Sequence, residues 1–279
     1  MPILFSYDDL RIAYPNSSSF FSLVSRYMKQ GKIKQIKKGL YALVDPSTNE
    51  IYATRFQIAS RLFNDSYFSY HEALEYYGLS NQSFVSGFTY LCHTYAKELE
   101  FQGVRYDSKK SDCGLQVLDR IKEEGVRVVS LERAIVDAID CPSLSGGIEE
   151  IEYALENVSD LNISSVEQML EYYNKDFLYR KVGFLFEKKY GPKIPKDFYD
   201  KCLSHVTKKI IYFESHAGQA KLNSKWRLMA VPPLRTSILC SGSNSEPMKQ
   251  RTSKSLMTFS TFELMNPVLA PNSAIYCLE

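Results

Sequence analysis

The stretch RYMKQGKIKQIKKGLYALVD, Arg26 to Asp45, decides how the N-terminal part of the chain folds. It places six bases (Arg26, Lys29, Lys32, Lys34, Lys37 and Lys38) within thirteen residues, then reaches Gly39 and turns apolar. Ahead of Gly31 the apolar residues recur at helical spacing. Phe20, Val24, Tyr27 and Met28 stand at i, i+4, i+7 and i+8, which predicts one buried helix face. Ser18, Ser22, Ser25, Arg26 and Lys29 fall on the other face. Asn16 to Ser18 offer caps for the helix start, and Gly31 suits its end. After Gly31 the period changes. KIKQIKKGLYALV predicts two short strands around a turn at Lys37–Lys38–Gly39, with Ile33 and Ile36 facing inward imperfectly and Leu40 to Val44 strand-like.

Upstream, FSYDDLRIAYP predicts a short first helix. Ser6 is its N-cap, Asp8 and Asp9 sit in the first turn where the helix dipole favours carboxylates, and Pro15 stops it. Two short helices followed by a basic hairpin make a winged helix-turn-helix. Its second helix enters the major groove and its hairpin tip meets the DNA backbone or minor groove. The charge distribution points the same way. Residues 11 to 44 hold seven bases and no Asp or Glu, and the remaining 27 bases face 32 acids, a net of −5. Such asymmetry predicts an anionic partner for the basic end. A solvated basic hairpin is the plainer reading of a charge run. Bases on a helix face and a wing together, with every acid excluded, favour duplex DNA.

Beyond the hairpin the chain reads as α+β. SYFSYHEALEYYGLS predicts a helix over 71–77 with a cap at Ser69, closed by Gly78. Aromatic-rich segments predict strands near 85–93, 98–101 and 103–108. GLQVLDRIKEEGVRVVS predicts a strand pair about Glu123–Glu124–Gly125. SLERAIVDAID is a helix with Ser130 as N-cap and Leu131, Ile135, Val136 and Ile139 on its buried face. GGIEEIEYALENV, SVEQMLEYYNKDFLYRKVGFLFEKKYG (two helices) and PKDFYDKCLSHV add helices. KKIIYFESH and SKWRLMAV add closing strands. The expected organisation is a winged helix-turn-helix over 1–50, a connecting helical segment over 51–80 and a larger mixed α/β domain over 81–231. A Ser- and Pro-rich segment over 232–279 is read as a disordered tail or an added extension.

Reactive groups do not converge in the sequence. It has no GxGxxG, Walker A, GxSxG or HExxH segment. SGG at Ser145 to Gly147 is a weak phosphate-loop signal, and GSNSE at Gly242 to Glu246 lacks the spaced acidic pair a nucleotidyltransferase needs. His71, His93, His205 and His216 are isolated in sequence. The six cysteines, Cys92, Cys113, Cys141, Cys202, Cys240 and Cys277, are single and read as reduced thiols, without metal-ligand spacing. The expectation is a protein without catalytic residues, metal or cofactor. No apolar run approaches the roughly 20 residues of a membrane span, and the N-terminus lacks a basic n-region, so the cytoplasm is the expected compartment. A second basic cluster, Arg180, Lys181, Lys188 and Lys189, lies beside the apolar side Val182, Phe184 and Leu185. It reads as an amphipathic core helix or as a partner-binding surface.

Taken in order, GKIKQIKKGLYAL, YFSYHEALEYYGL, VVSLERAIVDAID, GGIEEIEYAL, YRKVGFLFEKKYG and LNSKWRLMAV resemble the AbiEi family over about residues 5 to 231. AbiEi proteins are antitoxins of type IV abortive-infection toxin–antitoxin systems. The resemblance implies a winged helix that represses its own promoter at inverted repeats. It also implies a C-terminal domain that opposes an AbiEii-type nucleotidyltransferase toxin without a stable complex. It assigns DNA contact to Arg26, Lys29, Lys32, Lys34, Lys37 and Lys38. Arg180, Lys181, Lys188 and Lys189 are the candidate antitoxin surface. The competing reading is a winged-helix regulator whose large domain senses a ligand, with the aromatic strands at 85–108 lining its pocket.

Overall fold

The computed structural model describes residues 2–63, 65–84, 87–92, 98–111, 119–121, 125–214 and 220–230. The tail over 232–279, the turn residues Glu123 and Glu124, and His93 and His216 lie outside them. The architecture is mixed α+β, with nine α-helices, three three-stranded sheets and a two-stranded ladder among the described residues.

The chain opens with β1 (Leu4–Phe5), a strand the sequence does not announce. Ser6 then caps α1 (Tyr7–Leu10), where the Asp9 carboxylate accepts hydrogen bonds from the Ser6 amide at 2.7 Å and its hydroxyl at 2.8 Å. Asn16 caps α2 (Ser17–Lys29) by accepting from the Ser18 amide at 2.9 Å. Gly31, at φ 71°, ends it. The Lys32 amide reaches back to the Tyr27 carbonyl and the Gly31 amide to that of Met28, so the last carbonyls are satisfied. Strands β2 (Ile33–Lys37) and β3 (Leu40–Leu43) follow around a two-residue turn, Lys38–Gly39, with Gly39 at φ 84°. The sheet order is β1-β3-β2, all antiparallel.

This small sheet is buried on both faces. Phe5, Ile33 and Tyr41 pack with Phe20, Val24 and Tyr27 of α2 in one hydrophobic cluster. Leu4, Ile36, Leu40 and Ala42 join the main core instead. Side chains alternate along a strand, so Ile33 and Ile36 point to opposite cores. Their imperfect shared face in sequence is two good faces in space. Met28 departs from expectation. It is 37% exposed, because the α2 face that meets the sheet is filled by Phe20, Val24 and Tyr27.

The main core continues through α3 (Arg55–Arg61), α4 (Tyr70–Tyr76), the sheet β4 (Gly87–Cys92), β5 (Leu99–Phe101), β6 (Val104–Lys110), and the ladder β7 (Asp119–Ile121), β8 (Arg127–Val129). At its centre α5 (Leu131–Asp140) packs against α4, α6 (Ile148–Asn157), α7 (Ile163–Tyr173) and α8 (Asp176–Tyr190). After α9 (Lys196–Ser204), β9 (Ile211–Tyr212), β10 (Lys221–Asn223) and β11 (Leu228–Ala230) form the last sheet, in order β10-β11-β9. Trp226 is fully buried against α8. A Cβ at Gly183 would overlap its indole, so glycine there permits the close approach.

The positions 50/51 and 80/81 interrupt neither hydrogen bonding nor packing. Val44 bridges Ile51 across the first, and across the second the Tyr67 amide donates to the Leu91 carbonyl at 3.0 Å and the Thr89 amide to Glu72 Oε1 at 2.7 Å. Tyr67 and Phe68 share one core with Leu91, Val128 and Ile135.

Glu72, on α4, titrates within this core. Its Oε1 accepts from the Thr89 amide at 2.7 Å, while Oε2 is buried with no hydrogen-bond partner. Burial pushes its carboxyl up to about 7 from 4.5, outweighing the Thr89 bond. The folded state therefore holds a proton that the unfolded chain releases above about pH 4.5. The stability this contributes is complete below about pH 4.5 and is lost as pH rises through about 7. Urea denaturation should show Glu72→Gln losing about 3 kcal/mol less stability than wild type between about pH 4 and pH 9. Parallel pH profiles would contradict the assignment.

Candidate functional site

The exposed side of α2 and the tip of the β2–β3 hairpin carry the predicted bases, and the structure sorts them. Arg26, Lys29, Lys32 and Lys38 are exposed. Arg26 and Lys32 approach the ring of buried Tyr27, their charged groups 5.4 and 5.2 Å from its centre. Helix and strand thus bring two cations, six positions apart in sequence, to one ring. None of these four has a carboxylate within ion-pair distance among the described residues. Arg11, in the turn after α1, is exposed and joins them. It begins the acid-free run from 11 to 44.

Two of the six are held by the protein itself. Lys34 Nζ donates to the Asn49 carbonyl at 2.6 Å. Lys37 turns inward. Its ammonium lies 4.1 Å from the centre of the Phe63 ring and donates to the Leu62 carbonyl, and burial lowers its pKa from the ordinary lysine value. The expected phosphate contact at Lys37 is therefore corrected to a latch that ties the hairpin to the end of α3. The reason is the bulge between Gln35 and Lys37, which shifts the register beside the turn. A cleft of about 480 Å³ beside the hairpin is lined by Lys37, Lys38, Arg61 and Arg127 together with Asp8 and Asp9. Arg61 pairs with Asp9, and Arg127 donates to the Ser60 and Phe63 carbonyls, so internal partners take much of this charge.

The second predicted surface divides, with Lys188 and Lys189 exposed and Arg180 and Lys181 buried. Arg180 is 1% exposed and Lys181 7%. Arg180 Nε donates to the Trp226 carbonyl at 3.0 Å, and its Nη2 donates to Lys209 at 3.0 Å and to the Arg227 carbonyl. It fastens the last sheet to α8. Lys188 pairs with Glu152 at 2.5 Å and Lys189 with Glu156 at 3.0 Å, both across to α6. Arg180 and Lys181 are thus corrected from surface to interior, because α8 is packed on nearly all sides.

Phe88, Tyr90 and Tyr106 are core residues. A buried polar cluster surrounds Asp137. It accepts from Ser69 Oγ at 2.5 Å and from the Tyr173 hydroxyl, with Arg133 Nε at 3.4 Å. Burial raises its pKa against the pull of Arg133, Ser69 and Tyr173. Arg133 Nη2 in turn donates to the Tyr67 hydroxyl at 3.0 Å. These groups join α4, α5 and α7, and their bonds run within the protein. Of the described histidines, His71 is buried 3.7 Å from Glu150, and His205 stacks on Tyr179 at 3.7 Å. Among the described residues no group of three or more His, Cys, Asp or Glu could hold a metal ion. No helix there is long and apolar enough to cross a membrane.

Neither a protein-family model nor a curated protein matches the chain. Among solved structures it is similar to the crystal structure of the RV2827C protein from Mycobacterium tuberculosis, with a TM-score of 0.59 at 12% identity, covering 82% of this chain and 86% of that one. At that identity the likeness concerns the fold alone.

Proposed function

We propose that β1 to β3 with α1 and α2 form a winged helix-turn-helix that binds duplex DNA, α2 lying in the major groove and the Lys38–Gly39 turn serving as the wing tip. The observation that carries this reading is the uncompensated charge. Arg11, Arg26, Lys29, Lys32 and Lys38 are exposed on one short unit whose sequence from 11 to 44 contains no acid. With the AbiEi resemblance, the proposal extends to an autorepressor and antitoxin of a type IV system, acting at inverted repeats in its own promoter against a nucleotidyltransferase-like toxin.

Five phosphate contacts release about five counterions, so the logarithm of affinity should fall with the logarithm of salt at a slope of about −4.5. That is roughly a 500-fold loss between about 50 and 200 mM. A gel-shift titration on the DNA upstream of the gene measures it; affinity independent of salt removes the DNA reading. Co-expression with an adjacent nucleotidyltransferase-like gene, scored by growth, tests the antitoxin half. Failure to rescue removes that half and leaves the DNA half standing.

A further inference from the structure

A pocket of about 770 Å³ opens where α5 ends, lined by Asp140, Cys141, Pro142, Ser143, Lys181, Tyr212, Phe213 and Glu214. This volume is in the range of small-molecule sites. Lys181 is its unusual wall. The side chain is more than nine-tenths buried, and its ammonium lies between two rings, 5.1 Å from the centre of Phe213 and 5.6 Å from Phe177. Among the described residues it has no hydrogen-bond or ion-pair partner within contact distance. Burial lowers its pKa from the ordinary lysine value, against the pull of Asp140, Cys141 and Glu214. The mostly buried side chain thus presents its ammonium to the pocket, where an anionic group of a ligand would replace water.

The other charges in the wall say what would. Asp140 is taken by Lys175 at 2.7 Å. Glu214 is half-buried with no ion pair among the described residues. The pocket thus offers one unpaired cation and one unpaired anion, with Pro142, Tyr212 and Phe213 as apolar surface between polar ends. Net charge disfavours a phosphate or other polyanion, because Glu214 would oppose it. We propose that this pocket binds a zwitterionic amino acid with a bulky apolar side chain. Its carboxylate meets Lys181, its ammonium meets Glu214, and its side chain lies against Tyr212 and Phe213. Such a site is independent of the DNA-binding proposal and lies in the larger part of the chain, where an effector would act.

Isothermal titration of the full chain with L-phenylalanine tests it. The controls are 3-phenylpropanoate, which lacks the ammonium, and 2-phenylethylamine, which lacks the carboxylate. Saturable one-to-one binding is expected, with each analogue about tenfold to hundredfold weaker, since each loses one charge-assisted hydrogen bond. Lys181→Met and Glu214→Gln should weaken L-phenylalanine by similar factors. L-Phenylalanine should also slow iodoacetamide modification of Cys141, followed by peptide mass spectrometry, because this half-exposed thiol is in the wall. No saturable heat from L-phenylalanine, equal binding of either analogue, or unchanged binding by Glu214→Gln overturns the proposal. The last of these decides it even if Lys181→Met unfolds.

Discussion

A chain carrying Arg26→Ala, Lys29→Ala, Lys32→Ala and Lys38→Ala together should bind duplex DNA roughly 10³-fold more weakly than wild type near 0.1 M salt, and its salt slope should flatten by about four. The four side chains are exposed and make no ion pairs among the described residues, so removing them breaks no carboxylate partnership. The hydrophobic cluster beneath them, Phe5, Phe20, Val24, Tyr27, Ile33 and Tyr41, is untouched. Circular dichroism should therefore match wild type while the gel shift disappears. The hairpin lysines give an internal control. Lys38→Ala should lower affinity with little change in melting temperature. Lys37→Ala should lower melting temperature and leave the salt slope unchanged, because Lys37 is spent on Phe63 and the Leu62 carbonyl. If the quadruple variant still shifts the same DNA, the basic face of α2 is not the contact surface. If Lys37→Ala and Lys38→Ala behave alike, the latch is wrong.

Local signals carried much of the fold. The 3.6-residue period and Ser130 located α5, and the break between α7 and α8 falls at Asn174, whose φ of 48° ends the first helix. The hairpin was legible from Gly39 and the strand-like run after it. The two-residue β1 was not, because Leu4–Phe5 has no period of its own and becomes a strand only by pairing with Tyr41 and Ala42. The two-sided burial of the small sheet was hidden for a related reason. Ile33 and Ile36 look like one faulty face until each is given its own core. This burial also bears on the boundaries read at 50/51 and 80/81. A fragment beginning at residue 81 would lack Tyr67, Phe68, Ala73 and Leu74, all fully buried with Val128 and Ile135. Point substitutions, rather than truncation, are the sound way to separate the activities proposed here.

Arg180→Ala should destabilise the protein by about 2–3 kcal/mol, the range expected when the hydrogen bonds of a buried charged donor are lost. The cluster YRKVGFLFEKK suggests a basic surface because Arg and Lys are seldom fully buried. Arg180 escapes that rule through geometry: its guanidinium fork reaches three carbonyls, of Lys209, Trp226 and Arg227, which lie 29 to 47 residues ahead in the chain. No local window contains those acceptors. Alanine removes this shared donor, although the Arg227 carbonyl still accepts from the Ile211 amide at 3.1 Å, and opens a void beside Trp226. Lysine should not rescue it, since one ammonium cannot reproduce the planar fork. Lys188→Ala removes only a partly exposed pair with Glu152, worth roughly 0–1 kcal/mol. Urea denaturation of Arg180→Ala, Arg180→Lys and Lys188→Ala should thus separate two large losses from one small one. Any failure of Arg180→Ala to protect cells from a toxin would then follow from its unfolding. A fully folded Arg180→Ala of wild-type stability would return Arg180 to the surface and undo this account of how α8 holds the closing sheet.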